Sequence, residues 1–220
     1  MLTAKNLTKK FESGTSELIA LNNVSISVQE GEFVAITGKS GSGKSTLLYQ
    51  LGLLDKPTSG EIFLNNKNVT NIDDDARTRI RLRELGYVFQ DYATLPALTA
   101  LENVMLPLLM LGEDKAQATK LATKALESVG LGPRLHNLPS QLSGGEQQRV
   151  SIARAIGHDP AILFADEPTA NLDSATSQMV LDAFLELHRD GQTIIMVTHE
   201  PEYAKLANRV IHLTDGQITV

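Results

Sequence analysis

Three short runs along the chain are apolar without polar alternation: Phe33-Val34-Ala35-Ile36-Thr37, Ala161-Ile162-Leu163-Phe164-Ala165 and Thr193-Ile194-Ile195-Met196-Val197. Strands of a parallel sheet are covered on both faces, which removes the in-out alternation, so these runs predict buried parallel strands. Leu85-Gly86-Tyr87-Val88-Phe89 reads as a further apolar strand. Helical periods lie between the runs. Ser174 to His188 places Met179, Val180, Ala183, Phe184 and Leu187 on one face, and Glu113 to Val129 repeats Ala118, Leu121, Ala122, Ala125, Leu126 and Val129. Thr99 to Glu102 has the spacing of a capping box, opening a helix that Pro107 interrupts. Strands alternating with helices predict an α/β fold with a parallel central sheet. The stretch from about Asp91 to Asp159 is mostly helical and predicts a helical subdomain inserted into the α/β core. The N-terminal third differs. Leu21 to Val28 and Glu61 to Leu64 read as strands near turns such as Pro57-Thr58-Ser59-Gly60, which predicts an antiparallel β subdomain. Arg209–Leu213 and Gly216–Val220 read as two closing strands, and residues 1–220 as one domain.

Charge and composition narrow the picture modestly. Asp73-Asp74-Asp75 followed by Arg77, Arg79, Arg81 and Arg83 suits a helix with acids first and bases last, its charges on a solvated face. The formal net charge of −6 argues against broad binding to nucleic-acid backbone, so no nucleic-acid partner is expected. Without cysteine the chain has no disulfide and no thiolate metal site, which fits a reducing cytoplasm. No apolar run approaches the length that spans a bilayer, and Met1-Leu2-Thr3-Ala4-Lys5 does not open a signal peptide. Any membrane role must therefore pass through a separate membrane partner.

The chemistry begins after the first buried run. Gly38-Lys39-Ser40-Gly41-Ser42-Gly43-Lys44-Ser45 fits G-x-x-x-x-G-K-[ST], between the strand Phe33–Thr37 and a helical run from Ser45 to Leu54. In such a loop the glycines let backbone N–H groups close around phosphate. Lys44 is placed to bridge the β- and γ-phosphates of a nucleotide, the Ser45 hydroxyl to bind Mg²⁺, and Thr46 to meet the α-phosphate. Asp166-Glu167 follows the second buried run, at the sheet edge where α/β proteins bind ligands. Asp166 is placed to reach Mg²⁺ through water, and Glu167 to polarise an attacking water. His199 follows the third run and is a candidate for a γ-phosphate contact. Gln90 ends the Leu85–Phe89 strand, where its amide can bind Mg²⁺ or the attacking water.

Leu142-Ser143-Gly144-Gly145-Glu146-Gln147-Gln148-Arg149 separates this chain from other phosphate-loop proteins. Ser143 can cap a helix with Glu146 three residues later, and Gly144 and Gly145 leave N–H groups uncovered at the positive end of the helix dipole. The octapeptide resembles the signature of ATP-binding-cassette (ABC) ATPases. Together with the phosphate loop and Asp166-Glu167, the resemblance covers nearly the whole chain.

That resemblance implies a nucleotide-binding core, an antiparallel β subdomain and a helical subdomain bearing the signature. It makes Gln90 the Q-loop glutamine that couples to a transmembrane permease subunit. Asn171-Leu172-Asp173 becomes the D-loop, with Asp173 near nucleotide, and His199 the switch histidine. Phe11 stands where the family carries an adenine-stacking aromatic, more often Tyr. The implied mechanism is a homodimer closing head to tail around two ATP, each held by one subunit's phosphate loop and the other's Ser143-Gly144-Gly145. The subunit would sit in the cytoplasm, on the inner face of the membrane through its partner. Leu53–Gly60, Gly86–Gln90, Leu98–Val104 with Leu106-Pro107-Leu108, and Ala165–Asp173 are most similar to the macrolide-exporter and lipoprotein-release group, which also includes a cell-division regulator. A soluble ABC ATPase of DNA repair or translation would carry coiled-coil insertions or a second cassette. A GTPase would need Asn-Lys-x-Asp, and the nearest string, Asn66-Lys67-Asn68-Val69, lacks the Asp.

Overall fold

The computed structural model describes residues 1–13 and 16–219. Val220, the end of the last expected strand, lies outside the described residues. In chain order the elements are β1 (Leu2–Ser13), β2 (Ser16–Val28), β3 (Phe33–Thr37), α1 (Lys44–Leu51), β4 (Ser59–Leu64), β5 (Lys67–Asn68), α2 (Asp74–Glu84), β6 (Leu85–Val88) and α3 (Ala100–Met110). They continue with α4 (Lys115–Ser128), α5 (Gly144–Ile156), β7 (Ile162–Asp166), α6 (Ser174–Arg189), β8 (Thr193–Val197), α7 (Pro201–Ala204), β9 (Arg209–Thr214) and β10 (Gln217–Thr219). These elements divide into two compact units. One joins Met1–Arg79 to the chain from Gly191 onward, and the other is Ile80–Asp190.

The first unit holds an antiparallel sheet in the order β2-β1-β4-β5. Leu2, Ala4 and Leu7 bury the inner face of β1, and the register shifts between Ala4 and Leu7, where Asn6 takes φ 52°. Beside that sheet, β3 pairs in parallel with β8 and β9, and β10 folds back antiparallel on β9. Every residue of β3 and β8 is buried, as the unbroken apolar runs predict. Helix α1 packs against β8 and buries Leu47, Leu48 and Leu51. It stops at Leu51, short of the expected Leu54, because the chain turns at Leu53 with φ 59°.

One charge departs from expectation. The arginine run of α2 was expected on a solvated face, but Arg77 is only 4% exposed. Its guanidinium donates to the backbone carbonyls of Asp55 and Thr70, both at 3.1 Å. Five fixed donors let one buried arginine hold two turns of the chain together.

In the second unit β6 runs parallel to β7, in register from Leu85–Ile162 to Val88–Ala165. Helices α3, α4 and α5 pack on one another, and α5 lies on β6 so closely that a Cβ at Gly86 would collide with the Ala155 carbonyl. The Thr99–Glu102 capping box forms as expected. The interruption at Pro107 does not occur, since α3 continues to Met110. A proline inside a helix costs about 3 kcal/mol. Met105 and Leu108, buried on either side of it, each return roughly 1.5–3 kcal/mol, so packing decides. In α6 Val180, Ala183 and Phe184 are buried as expected and Ser177 and Leu181 join them, whereas Met179, expected on the same face, is 57% exposed. Among the described residues no helix is long and apolar enough to cross a membrane.

Candidate functional site

The phosphate-loop match occupies the turn from β3 into α1. Gly38 follows β3 directly, Lys39, Ser40 and Gly41 form an exposed turn, and Ser42 N–H donates to the Lys39 carbonyl at 3.2 Å. Gly43 is the N-cap of α1 in a left-handed conformation, φ 98°, and a Cβ there would collide with the Ala20 carbonyl of β2. Only glycine meets both demands. The N-termini of α3, α4, α5 and α6 are capped by the side chains of Thr99, Asp114, Ser143 and Asp173. The N-terminus of α1 has no side-chain cap. A helix start without a side-chain cap suits an anion at the positive end of the helix dipole.

Two buried polar groups in the loop fit the same occupant. Ser42 Oγ is buried without a hydrogen-bond partner. Lys44 is 6% exposed, and its ammonium donates to the Lys39 carbonyl at 3.0 Å, one of the three bonds it can make. Ser45 and Thr46 follow in the first turn of α1, half-buried. His199 leaves the neighbouring strand at the same edge, since Ile36 of β3 is in register with Val197 of β8. Its Nε2 lies 3.3 Å from Glu200 Oε1, and the imidazole is half exposed. Phe11 stands on β1, the strand paired with the β2 that Gly43 touches, and is 43% exposed.

The second unit gathers the other candidates. Gln90 and Glu167 lie two residues beyond the Val88–Ala165 register pair, so both leave the same edge of β6 and β7. Asp166 ends β7 and is 6% exposed. Glu167 takes φ 44°, a left-handed conformation that costs a non-glycine residue about 1–3 kcal/mol and clusters at functional sites. Its carbonyl accepts from Ala170 N–H at 3.1 Å, closing the turn toward Asn171. Asn171 Nδ2 donates to the Gln90 carbonyl at 3.2 Å, which joins the two loops.

Ser143 caps α5 as expected. Its hydroxyl accepts from Glu146 N–H at 3.3 Å, and its own N–H donates to Glu146 Oε2 at 2.8 Å. Arg134 donates to the other carboxylate oxygen at 3.0 Å. The Ser143 amide bond, followed by the Ser143 hydroxyl and the Arg134 side chain, holds the Glu146 carboxyl below its ordinary value against the opposing effect of burial. Gly144 lies beside the Tyr92 hydroxyl and Leu172, so the signature start also borders the Gln90 and Asn171 loops.

Two candidates have structural duties that their motifs did not announce. Asp173 Oδ1 accepts from Ala175 and Thr176 N–H, both at 3.0 Å, and Oδ2 accepts from the Thr176 hydroxyl at 2.6 Å. Its carboxylate is committed to capping α6, and the Thr176 hydroxyl bond is the first cause holding its pKa below the ordinary value. Gly145 is buried where a Cβ would overlap the Thr176 methyl. Alanine favours a helix over glycine by up to about 1 kcal/mol, but overpacking costs about 1–3 kcal/mol, so crowding wins. Gly145→Ala should therefore lower the denaturation midpoint. Thr176→Ser removes the methyl and keeps the bond to Asp173, so in that background the same change should be neutral or stabilising. An equal loss in both backgrounds would show that the Thr176 methyl is not the cause.

The polar anchors of the Gln90 loop were missed. Arg154 of α5 donates to the Ala93 and Tyr92 carbonyls at 2.6 and 3.2 Å, where both residues have positive φ. Asn103 of α3, fully buried, accepts from Leu95 N–H and donates to the carbonyls of Leu95, Leu98 and Thr99 at 2.9–3.1 Å. The available signal was a polar side chain at a core position of an otherwise apolar helix face.

The profile of the family described as ABC transporter matches residues 21–170, from β2 through the phosphate loop and signature to the turn after Glu167. The chain belongs to the ABC transporter family. An ABC relative, the lipoprotein-releasing system ATP-binding protein LolD of Aquifex aeolicus, is 51% identical over 198 residues, 90% of this chain and 88% of that protein. The macrolide export ATP-binding/permease protein MacB of Chlorobaculum tepidum is 47% identical over 99% of this chain, which covers 33% of that longer protein. Among solved structures, the dimeric ABC transporter cassette MJ0796, from Methanocaldococcus jannaschii, superposes with a TM-score of 0.93 at 43% identity, covering 100% of this chain and 97% of that one. The same cassette is also known as a dimer in a post-hydrolysis state bound to ADP and Pi.

Proposed function

We propose that this chain is the Mg²⁺-dependent ATPase subunit of an ABC transporter or mechanotransmission complex, working as a homodimer in the ATP-bound state. The observation that carries the reading is the phosphate loop: an uncapped helix start, an orphaned buried Ser42 hydroxyl and a buried Lys44 ammonium, placed together by the fold. In this reading the loop N–H groups and Lys44 hold the β- and γ-phosphates and Thr46 meets the α-phosphate. Phe11 stacks on the adenine. Ser143-Gly144-Gly145 of the opposing subunit meets the γ-phosphate, and Asp173 keeps the D-loop in shape beside it.

The proposal assigns Mg²⁺ to the Ser45 hydroxyl, the Gln90 amide and the Asp166 carboxylate. Among the described residues no three His, Cys, Asp or Glu side chains gather into a metal site. A single carboxylate with a hydroxyl and an amide suits Mg²⁺, which keeps several waters and relies on substrate phosphates. When bound, the ion neutralises charge on the β- and γ-phosphate oxygens. Glu167 orients the attacking water and draws its proton, while His199 contacts the γ-phosphate. The subunit acts on the cytoplasmic face of a membrane through a permease partner. The names of the LolD and MacB relatives support a cargo of drug, peptide or lipoprotein class.

The purified chain should release phosphate from ATP with Mg²⁺ present. Chelation with EDTA should bring release to background, and added Mg²⁺ should restore it. Phosphate release that persists in excess chelator, or none under any condition, would defeat the assignment.

A further inference from the structure

Phe11 is exposed on β1, and its cross-strand partner Leu18 is 63% exposed, so the apolar surface beside the ring is open. One face of the ring is nevertheless covered. The Lys9 ammonium lies over it, 5.1 Å from the centroid. Lysine side chains are usually solvated, but that of Lys9 is only 13% exposed. Its ammonium contacts Asp55 Oδ1 and Oδ2 at 2.8 and 2.7 Å and the Lys56 carbonyl at 2.8 Å. Asp55 is itself fixed. Its backbone N–H and that of Leu54 donate to the Tyr49 carbonyl of α1, and its carbonyl accepts from the buried Arg77. A strand-face contact of the ordinary kind is also present in this sheet, with Lys5 over Phe63 at 4.8 Å. Lys9 differs in being largely covered and anchored to a segment 46 residues away.

We propose that Lys9, held by Asp55, is a positioning residue for nucleotide recognition: it closes one face of Phe11 so that a purine base stacks on the other. This rests on the reading of Phe11 as the adenine contact. The chain Phe11–Lys9–Asp55–Tyr49 links the base-stacking ring to α1, the helix that begins at the phosphate loop. The separation between base contact and phosphate contact is therefore set by side chains within one compact unit. A cation over one face also withdraws electron density from the ring, which favours an electron-rich purine on the other.

The test compares Lys9→Met, Lys9→Arg, Phe11→Ala and the double variant Lys9→Met/Phe11→Ala. For each, the dissociation constants of ATP and of inorganic tripolyphosphate are measured, with KM and kcat for ATP. Lys9→Met should weaken ATP by about 3- to 10-fold, the span of one cation–π contact, and leave tripolyphosphate binding unchanged. KM should rise while kcat at saturation holds. Lys9→Arg should restore most of the affinity, since arginine keeps both the cation over the ring and the carboxylate pair. In the Phe11→Ala background Lys9→Met should add nothing further. Full effect of Lys9→Met without Phe11, or equal loss of tripolyphosphate binding, would overturn the proposal and make Lys9 a support of the fold. Phe11→Ala weakening ATP while Lys9→Met does not would overturn the proposal and leave the stacking reading intact. Phe11→Ala without effect on ATP would overturn both.

Discussion

Lys44→Ala abolishes ATP hydrolysis yet leaves the nucleotide-free fold as stable as before, or more so. The two halves of this expectation have one cause. Lys44 is buried at the start of α1, and its ammonium donates to the Lys39 carbonyl at 3.0 Å. A cation removed from water and incompletely paired costs free energy in the empty protein, so its replacement by a small apolar residue relieves that cost. In the proposed function the same ammonium faces the phosphate oxygens of bound ATP, where a charge-assisted hydrogen bond contributes about 1.5–3 kcal/mol. Charge develops on those oxygens as the γ-phosphoryl group departs, so the transition state suffers more than the ground state, on the order of 10²- to 10³-fold or beyond. Thermal unfolding without nucleotide, ATP binding and steady-state hydrolysis should be measured on one preparation. A lowered unfolding midpoint with parallel loss of activity would mean that Lys44 supports the loop's fold. Turnover near wild type at saturating Mg-ATP would remove the phosphate-loop assignment.

Where a signal is local, the chain discloses it. β3 and β8 match their apolar runs residue for residue, because strands buried on both faces need no partner to explain their composition. The phosphate loop and the Ser143 capping box are also local, each complete within eight residues. β1 went unread because its register shifts three times between Ala4 and Lys10, which destroys the two-residue period. Arg77, Asn103 and Arg154 were unreadable for another reason. Each is a polar side chain whose worth depends on backbone carbonyls that the fold brings to it, 61 and 62 residues away for Arg154. Periodicity marks such a position only as an exception. It cannot say which loop the exception holds. The same limit applies to Asp173, whose motif suggested a nucleotide contact and whose carboxylate caps α6.

Glu167→Gln should bind ATP normally, hydrolyse it orders of magnitude more slowly and accumulate as an ATP-bound dimer. The backbone at Glu167 is held at φ 44° after the buried Asp166, and glutamine meets that conformation at much the same cost as glutamate. The turn to Ala170, the Asn171–Gln90 link and the signature cap do not use the Glu167 side chain, so the substitution leaves them in place. What changes is basicity. A carboxylate accepts a proton from the attacking water or holds that water in line, and losing such a group costs about 10²–10⁴ in rate. An amide of the same size keeps part of the hydrogen bonding and almost none of the base strength. Binding persists while turnover stops, so ATP remains between the two subunits and the closed dimer is trapped. The wild-type chain, whose turnover keeps reopening the pair, should run mainly as a monomer. Size-exclusion chromatography with and without ATP, together with phosphate release, decides the matter. A Glu167→Gln protein that stays monomeric with ATP bound, or one that turns over at the wild-type rate, would remove Glu167 from the chemistry and with it the account of a dimer held closed by unhydrolysed ATP.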